Sequence, residues 1–121
     1  MRYFAVLLAI AFVAFAPVSP VFTLPSVVVQ VKTGDDFFIA LPSNVTTGYA
    51  WTQKSADETV AAYEGNVYQN PTNGLAGQGG QQLFIFHAIR SGTTSIAFHY
   101  ARSFEPKVPP AKSVTFTVAV Q

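Results

Sequence analysis

The chain has 121 residues and no cysteine, and seven Lys and Arg stand against six Asp and Glu, a formal net charge of +1. The length fits one domain of ordinary size, and the near balance of charge removes the electrostatic basis for binding nucleic acid or an anionic membrane. Without cysteine there is no disulfide, thiol nucleophile or thiolate metal ligand, so the hydrophobic core alone must hold the fold.

The N-terminal segment has the order of a secretory signal peptide. A positive charge at Arg2 precedes an uncharged apolar run over residues 3–15, and small residues and prolines follow. The run is shorter than the ~20 residues that a membrane-spanning helix needs, so an uncleaved anchor is the weaker alternative. We expect a signal peptide over residues 1–19, cleaved between residues 16 and 26, and an exported domain over residues 26–121. The expected location is extracellular, periplasmic or endolysosomal, with no membrane contact after cleavage.

The remaining sequence has the pattern of β-strands separated by turns. Seven short runs are rich in β-branched and aromatic residues, and Gly, Pro and Asn punctuate them. The runs are 27–31, 37–41, 49–54, 60–69, 82–88, 93–100 and 113–120. Turns every 8–12 residues are typical of an immunoglobulin-like sandwich or a barrel, and such sandwiches often centre the core on a tryptophan like Trp51. The predicted fold class is all-β, an immunoglobulin-like β-sandwich of about seven strands without a disulfide.

Three polar segments follow the second, fourth and sixth predicted strands. They span residues 44–48, 70–80 and 101–111. If consecutive strands alternate in direction, all three loops emerge at the same end of the domain. The sequence therefore predicts a composite surface of the kind that a loop-based binder uses.

The first segment is Asn44-Val45-Thr46-Thr47-Gly48. Alone it has ordinary turn chemistry, since Asn and Thr side chains bond to local backbone and Gly48 supplies a positive φ. Asn44 to Thr46 also form an N-glycosylation sequon, a match that is frequent by chance.

The second segment contains Gly-Gln-Gly-Gly at residues 77–80, which lacks the Gly-Lys-Ser/Thr ending and the following helix of a phosphate loop. It is either a flexible hairpin end or a stretch whose missing side chains let the backbone approach a partner closely. In the second interpretation, Leu75 and Ala76 add apolar contact.

The third segment places Arg102 and Phe104 at a loop tip. Arginine and large aromatic residues are enriched among binding hot spots. In the alternative interpretation, Phe104 folds back over the core and Arg102 pairs with Glu105.

No constellation for catalysis stands out. His87 and His99 lie within predicted strands, with no third ligand at metal spacing. There is no Gly-x-Ser-x-Gly nucleophile elbow. We predict neither an enzyme nor a metal or cofactor site.

Together, the three segments resemble the chagasin-like inhibitors of papain-type cysteine proteases. The family pattern is Asn-Pro-Thr-Thr-Gly followed by an aromatic residue, then Gly-x-Gly-Gly, then Arg-Pro-Trp/Phe. Residues 44–49 match the first motif apart from Val45, residues 77–80 match the second, and residues 102–104 match the third apart from Ser103. The resemblance covers about residues 26–121, and the family fold is an immunoglobulin-like sandwich.

The resemblance implies a reversible, competitive inhibitor of papain-like cysteine proteases that occludes the active-site cleft with the three loops. We expect a monomer. The protease-binding residues implied by the motif match are Asn44, Val45, Thr46, Thr47, Gly48, Leu75, Ala76, Gly77, Gly79, Gly80, Arg102 and Phe104.

Val45 and Ser103 stand where the family pattern has proline. Losing both φ restraints is expected to raise the entropy cost of binding. Because valine also permits the sequon, Asn44 could carry a glycan in a eukaryotic secretory pathway.

The alternative function is an exported immunoglobulin-like binding or adhesion module without inhibitory activity, which would use the faces or edges of its sheets.

Overall fold

The computed structural model describes residues 19–70 and 79–121, which form two four-stranded β-sheets packed face to face. The strands in chain order are β1 (Val21–Phe22), β2 (Val29–Val31), β3 (Asp36–Ser43), β4 (Tyr49–Ser55), β5 (Ala61–Gln69), β6 (Gly80–Ala88), β7 (Gly92–Arg102) and β8 (Lys112–Val120). The sheet orders are β1-β3-β6-β5 and β2-β8-β7-β4. In the described ranges, no helix is long and apolar enough to cross a membrane.

The predicted all-β fold class is confirmed, and each of the seven predicted runs overlaps a strand. β2 is shorter than predicted, because Val27 and Val28 are exposed and lie outside it. β1 was not predicted, since two residues are too few to show an alternating pattern. It pairs in parallel with the edge of β3. The predicted signal peptide falls almost entirely on residues 1–18, outside the described ranges.

The core lies between the sheets and follows the period-two alternation of the strands. Phe84 and Phe86 of β6 face Phe98 of β7, and all three are completely buried. The Phe98 ring meets Phe84 of the other sheet at 4.8 Å and Phe116 of its own sheet at 5.9 Å between centroids, both edge-on, and the Phe84 contact connects the two sheets. Each fully buried side chain of this size contributes roughly 1.5–3 kcal/mol. Apolar packing of this kind holds a sandwich that has no disulfide.

The strand registers bring three connections to one end of the sandwich. Ser43, at the end of β3, is paired with Gly80, at the start of β6. Tyr49, at the start of β4, is paired with Arg102, at the end of β7. The loops that leave β3, β5 and β7 therefore share one end, as the alternation of strand direction predicted. Consecutive strands are not always neighbours, however, since β3 and β4 belong to different sheets.

A buried glutamine joins the two sheets just below this end. Gln82, which is 6% exposed, accepts a hydrogen bond at Oε1 from the backbone N–H of Trp51 (2.7 Å). Its Nε2 donates to the backbone carbonyl of the same residue (3.1 Å). The indole Nε1 of Trp51 donates to the Pro42 carbonyl (2.8 Å). Because β4 is an edge strand, Gln82 supplies the partners that a neighbouring strand would otherwise provide.

Candidate functional site

The first loop is a 3-10 turn, Val45–Thr47, with Asn44 as its N-cap and Gly48 as its C-cap. The Oδ1 of Asn44 accepts from the backbone N–H of Thr46 (3.2 Å) and from its hydroxyl (2.6 Å). Gly48 closes the turn in the left-handed region, at φ 82°, and its N–H donates to the Val45 carbonyl. The predicted turn chemistry is thus present, and the loop is held by its own hydrogen bonds.

A column of aromatic rings supports the first loop from below. The hydroxyl of Tyr100 accepts from the backbone N–H of Asn44 (3.3 Å). The Tyr100 ring stacks on Tyr49 at 5.3 Å and leans on Trp51 at 4.8 Å. Stacked rings of this kind add about 0.5–1.5 kcal/mol per pair beyond the burial of area. The base of the loop is therefore packed against aromatic rings, while Val45 in the turn is 49% exposed.

Arg102 cross-links the first and third loops. Its guanidinium carbon lies 4.3 Å from the centroid of the Tyr49 ring, and its Nε donates to the Thr47 carbonyl (3.2 Å). Its Nη1 lies 3.5 Å from Oε1 of Glu105, so the predicted pairing of Arg102 with Glu105 is present at the long end of the range. A planar guanidinium suits this position, because one group meets a ring face and a carbonyl at once.

Phe104 does not fold back over the core. It is 69% exposed, at the tip of a turn that the N–H of Glu105 closes by donating to the Arg102 carbonyl (3.1 Å). The inner edge of its ring rests against Gly48, where an added Cβ would lie 3.1 Å from Phe104 Cε1. The small residue at position 48 thus lets the ring pack beside the first loop and keep most of its surface in solvent.

The described end of the second loop lies beside the first loop. A Cβ added at Gly79 would stand 3.6 Å from the Cβ of Asn44. At Gly80, an added Cβ would collide with the Gln69 carbonyl oxygen and with the Tyr68 ring, so only glycine fits there. The predicted contact residues Leu75, Ala76 and Gly77 lie outside the described ranges.

A groove beside the third loop was not predicted from the sequence. It has a volume of about 500 Å³ and opens on the outer face of β4 and β7. The residues that line it include Ala50, Thr52, His99, Ala101, Val108 and Pro110. Strand alternation places the β4 and β7 members on the outer face. Only the path of the third loop turns that face into a groove.

His87 and Asp36 form a hydrogen-bonded pair of titratable side chains at the end of the sandwich opposite the three loops. His87 Nδ1 is 2.7 Å from Asp36 Oδ1, and this hydrogen bond raises the pKa of His87 above its ordinary value of 6.5. Both side chains are exposed by about half. Within residues 19–70 and 79–121, no three histidines or carboxylates come close enough to hold a metal ion.

Comparison with known proteins shows which family the sequence matches. Residues 30–120 match the profile of the chagasin family of peptidase inhibitors, I42. Chagasin of Trypanosoma cruzi is 36% identical over 93 residues, which is 73% of this chain and 82% of chagasin.

Two solved structures have a similar fold. The crystal structure of the cysteine protease inhibitor EhICP2 from Entamoeba histolytica has a TM-score of 0.69 at 20% identity and covers 88% of this chain and 100% of that one. PbICP-C, solved in complex with falcipain-2, has a TM-score of 0.56 at 18% identity and covers 88% of this chain and 94% of that one.

Proposed function

The chain belongs to the chagasin family of peptidase inhibitors, and from this premise we propose that it inhibits papain-like cysteine proteases by reversible, competitive occlusion of the active-site cleft. The observation that carries the proposal is that Arg102 cross-links two loops that bear the family motifs, while Phe104 beside it stays exposed to solvent. No covalent bond is made or broken, so the function is binding and not catalysis.

Each loop has a proposed role. The first loop enters the cleft, with Thr46 and Thr47 facing the catalytic Cys–His pair of the protease. The second loop, residues 75–80, lies along the substrate-binding groove and uses backbone hydrogen bonds. Phe104 packs on an aromatic surface beyond the histidine side of the cleft.

The contacts of Arg102 suggest that it positions the other loop residues as well as meeting the protease. Its Nε and the face of its guanidinium are already engaged by Thr47 and Tyr49. The remaining N–H groups can still meet an acidic group of the protease. Holding two loops in register before association reduces the ordering cost of binding. An interface of ~800 Å² per partner is ordinary for protease–inhibitor complexes.

We further propose that the inhibitor is exported as a monomer after removal of its signal peptide. The carbonyl of Pro20 accepts from the N–H of Phe38 (2.9 Å), and the Phe22 ring meets Phe37 edge-on at 6.4 Å. Cleavage between residues 16 and 20 would keep both contacts, whereas cleavage after Phe22 would remove β1. N-terminal sequencing of secreted protein tests the removal of the signal peptide, and a secreted chain that still begins at Met1 would contradict it.

Titration of the protein against papain and a cathepsin-L-type enzyme, with a serine protease as control, tests the inhibitory function. We expect inhibition of both cysteine proteases that substrate relieves, and none of the serine protease. Inhibition that substrate does not relieve would refute the competitive mode. If binding to a cell-surface partner survives deletion of residues 77–80 and neither cysteine protease is inhibited, the alternative binding module is correct.

A further inference from the structure

The first loop carries a feature that protease inhibition does not require. Asn44-Val45-Thr46 is an Asn-x-Ser/Thr sequon with a permissive middle residue. The only other match in the sequence is Asn70-Pro71-Thr72, and proline in the middle position blocks it. Any N-linked glycan on this chain therefore maps to Asn44. The family pattern has proline at the position of Val45, so the site is a property of this chain.

We propose that Asn44 is an N-glycosylation site and that a glycan there switches off the inhibitory surface. This inference rests on the proposed function, since it concerns the same loops. It would give the exported chain two forms, one that binds the protease and one that does not.

The modification is a transfer between the asparagine amide and a polyprenyl diphosphate-linked oligosaccharide. The Asn44 Nδ2 attacks the anomeric carbon of the first sugar, and a C–N bond forms as the bond from that carbon to the phosphate oxygen breaks. The polyprenyl diphosphate leaves with the bonding electron pair, and the amide nitrogen gives up one proton to a base of the transferase. Because the Asn44 side chain is half-buried in the folded chain, transfer is expected on the nascent chain.

The residues that follow Asn44 in the first loop are open to solvent. Val45, Thr46 and Thr47 are exposed, and the facing residue, Gly79, has no side chain. The carbonyl and hydroxyl contacts that shape the turn use the Asn44 backbone and Oδ1. Attachment of a glycan at Nδ2 therefore leaves these contacts of the turn in place.

A glycan at this position would prevent the first loop from binding in the protease cleft. Asn44 lies between the exposed tip of the first loop and Gly79 of the second loop, 3.6 Å from the point where a Cβ at Gly79 would stand. Binding hot spots need close packing and exclusion of water at the centre of an interface. A hydrated oligosaccharide between two of the three loops prevents both. We expect the inhibition constant for papain to rise by about a hundredfold or more, the loss typical of hot-spot disruption.

Four preparations distinguish the effect of the glycan on inhibition from the effect of the substitution that removes it. Wild type and Val45→Pro are each made with the signal segment in a eukaryotic secretory host, and each is made without modification in bacteria. Mass spectrometry shows whether the chain is modified, and papain inhibition is measured for all four. Thr46→Ser in the secretory host is the matched control, because it keeps the sequon.

We expect a glycan on secreted wild type and Thr46→Ser and none on Val45→Pro. The ratio of inhibition constants between secreted and bacterial wild type should be large, and the same ratio for Val45→Pro should be close to one. An unmodified secreted wild type, or a modified one that inhibits as well as the bacterial protein, would overturn the inference. Failure of the bacterial wild type to inhibit papain would instead refute the proposed function, while the mass of the secreted protein would still decide the modification.

Discussion

Val45 and Ser103 occupy positions whose backbone geometry suits proline. Val45 is the first residue of the 3-10 turn, and the preceding Asn44 has φ −124° and ψ 98°, close to the extended conformation that a residue before proline adopts. Ser103 is the second residue of the turn that the Glu105 N–H closes onto the Arg102 carbonyl, where proline is favoured. Among the described residues, neither position's N–H has an acceptor.

We therefore predict that Val45→Pro and Ser103→Pro each stabilise the protein. Proline at a compatible site reduces the entropy of the unfolded chain and contributes about 0.4–1 kcal/mol. The two loops are joined through Arg102, but no hydrogen bond or ion pair among the described residues joins Val45 to Ser103, so the effects should nearly add to about 1–2 kcal/mol. A change of 1 kcal/mol raises Tm by about 4–8 °C in a domain of this size.

The same substitutions should tighten inhibition, because less loop freedom remains to be lost on binding. Thermal unfolding and papain inhibition of unglycosylated protein measure the two effects. Thr47→Pro is the matched control in the same turn: it removes the hydrogen bond from the Thr47 N–H to the Asn44 carbonyl (3.2 Å) and should lower Tm. A Tm that falls in Val45→Pro or Ser103→Pro would refute the reasoning on backbone geometry. A higher Tm with weaker inhibition would refute the link to loop entropy.

Three further predictions concern single side chains. Phe104→Ala should weaken papain inhibition by ~1–3 kcal/mol with little change in Tm, because the ring is 69% exposed; an unchanged inhibition constant would mean that Phe104 is only a spacer. Gln82→Leu should lower the free energy of unfolding by roughly 1–3 kcal/mol, measured in urea, since both backbone groups of Trp51 lose their partner; unaltered stability would show that water replaces the amide. The raised pKa of His87, caused first by its hydrogen bond to Asp36, stabilises the fold fully below pH 6.5 and less as pH rises through the raised value. Urea midpoints of wild type and His87→Gln from pH 5.5 to 8 should converge at the high end, and a gap that widens with pH would contradict the assignment.

The strands and the grouping of the loops could be predicted because they depend on local patterns. Alternation between apolar and polar residues defines which face of a strand is buried. The run 113–120 illustrates this: Phe116 and Val118 are buried, and Thr115 and Thr117 are exposed. β1 could not be predicted, because two residues carry no period and the strand exists only through its pairing with β3.

The roles within the site were only partly predictable. The motif identified Arg102 and Phe104 as a unit, and two interpretations of each remained open. The structure combines them: Arg102 pairs with Glu105 and also reaches Thr47, while Phe104 stays exposed against Gly48. The groove on β4 and β7 had no counterpart in any sequence pattern, because it depends on the path of the third loop.

Local sequence patterns account for the strand alternation, for the positions of the three polar segments and for the family that their motifs indicate, since all of these depend on residues close together along the chain. Two contacts follow only from the folded arrangement: Arg102 bonds to Thr47, 55 residues away, and Gln82 bonds to the backbone of Trp51, 31 residues away. Such contacts depend on how two sheets pack, and on side-chain directions that no local period encodes. The loops became one surface because packing across the sheets, and not the motif, holds them together.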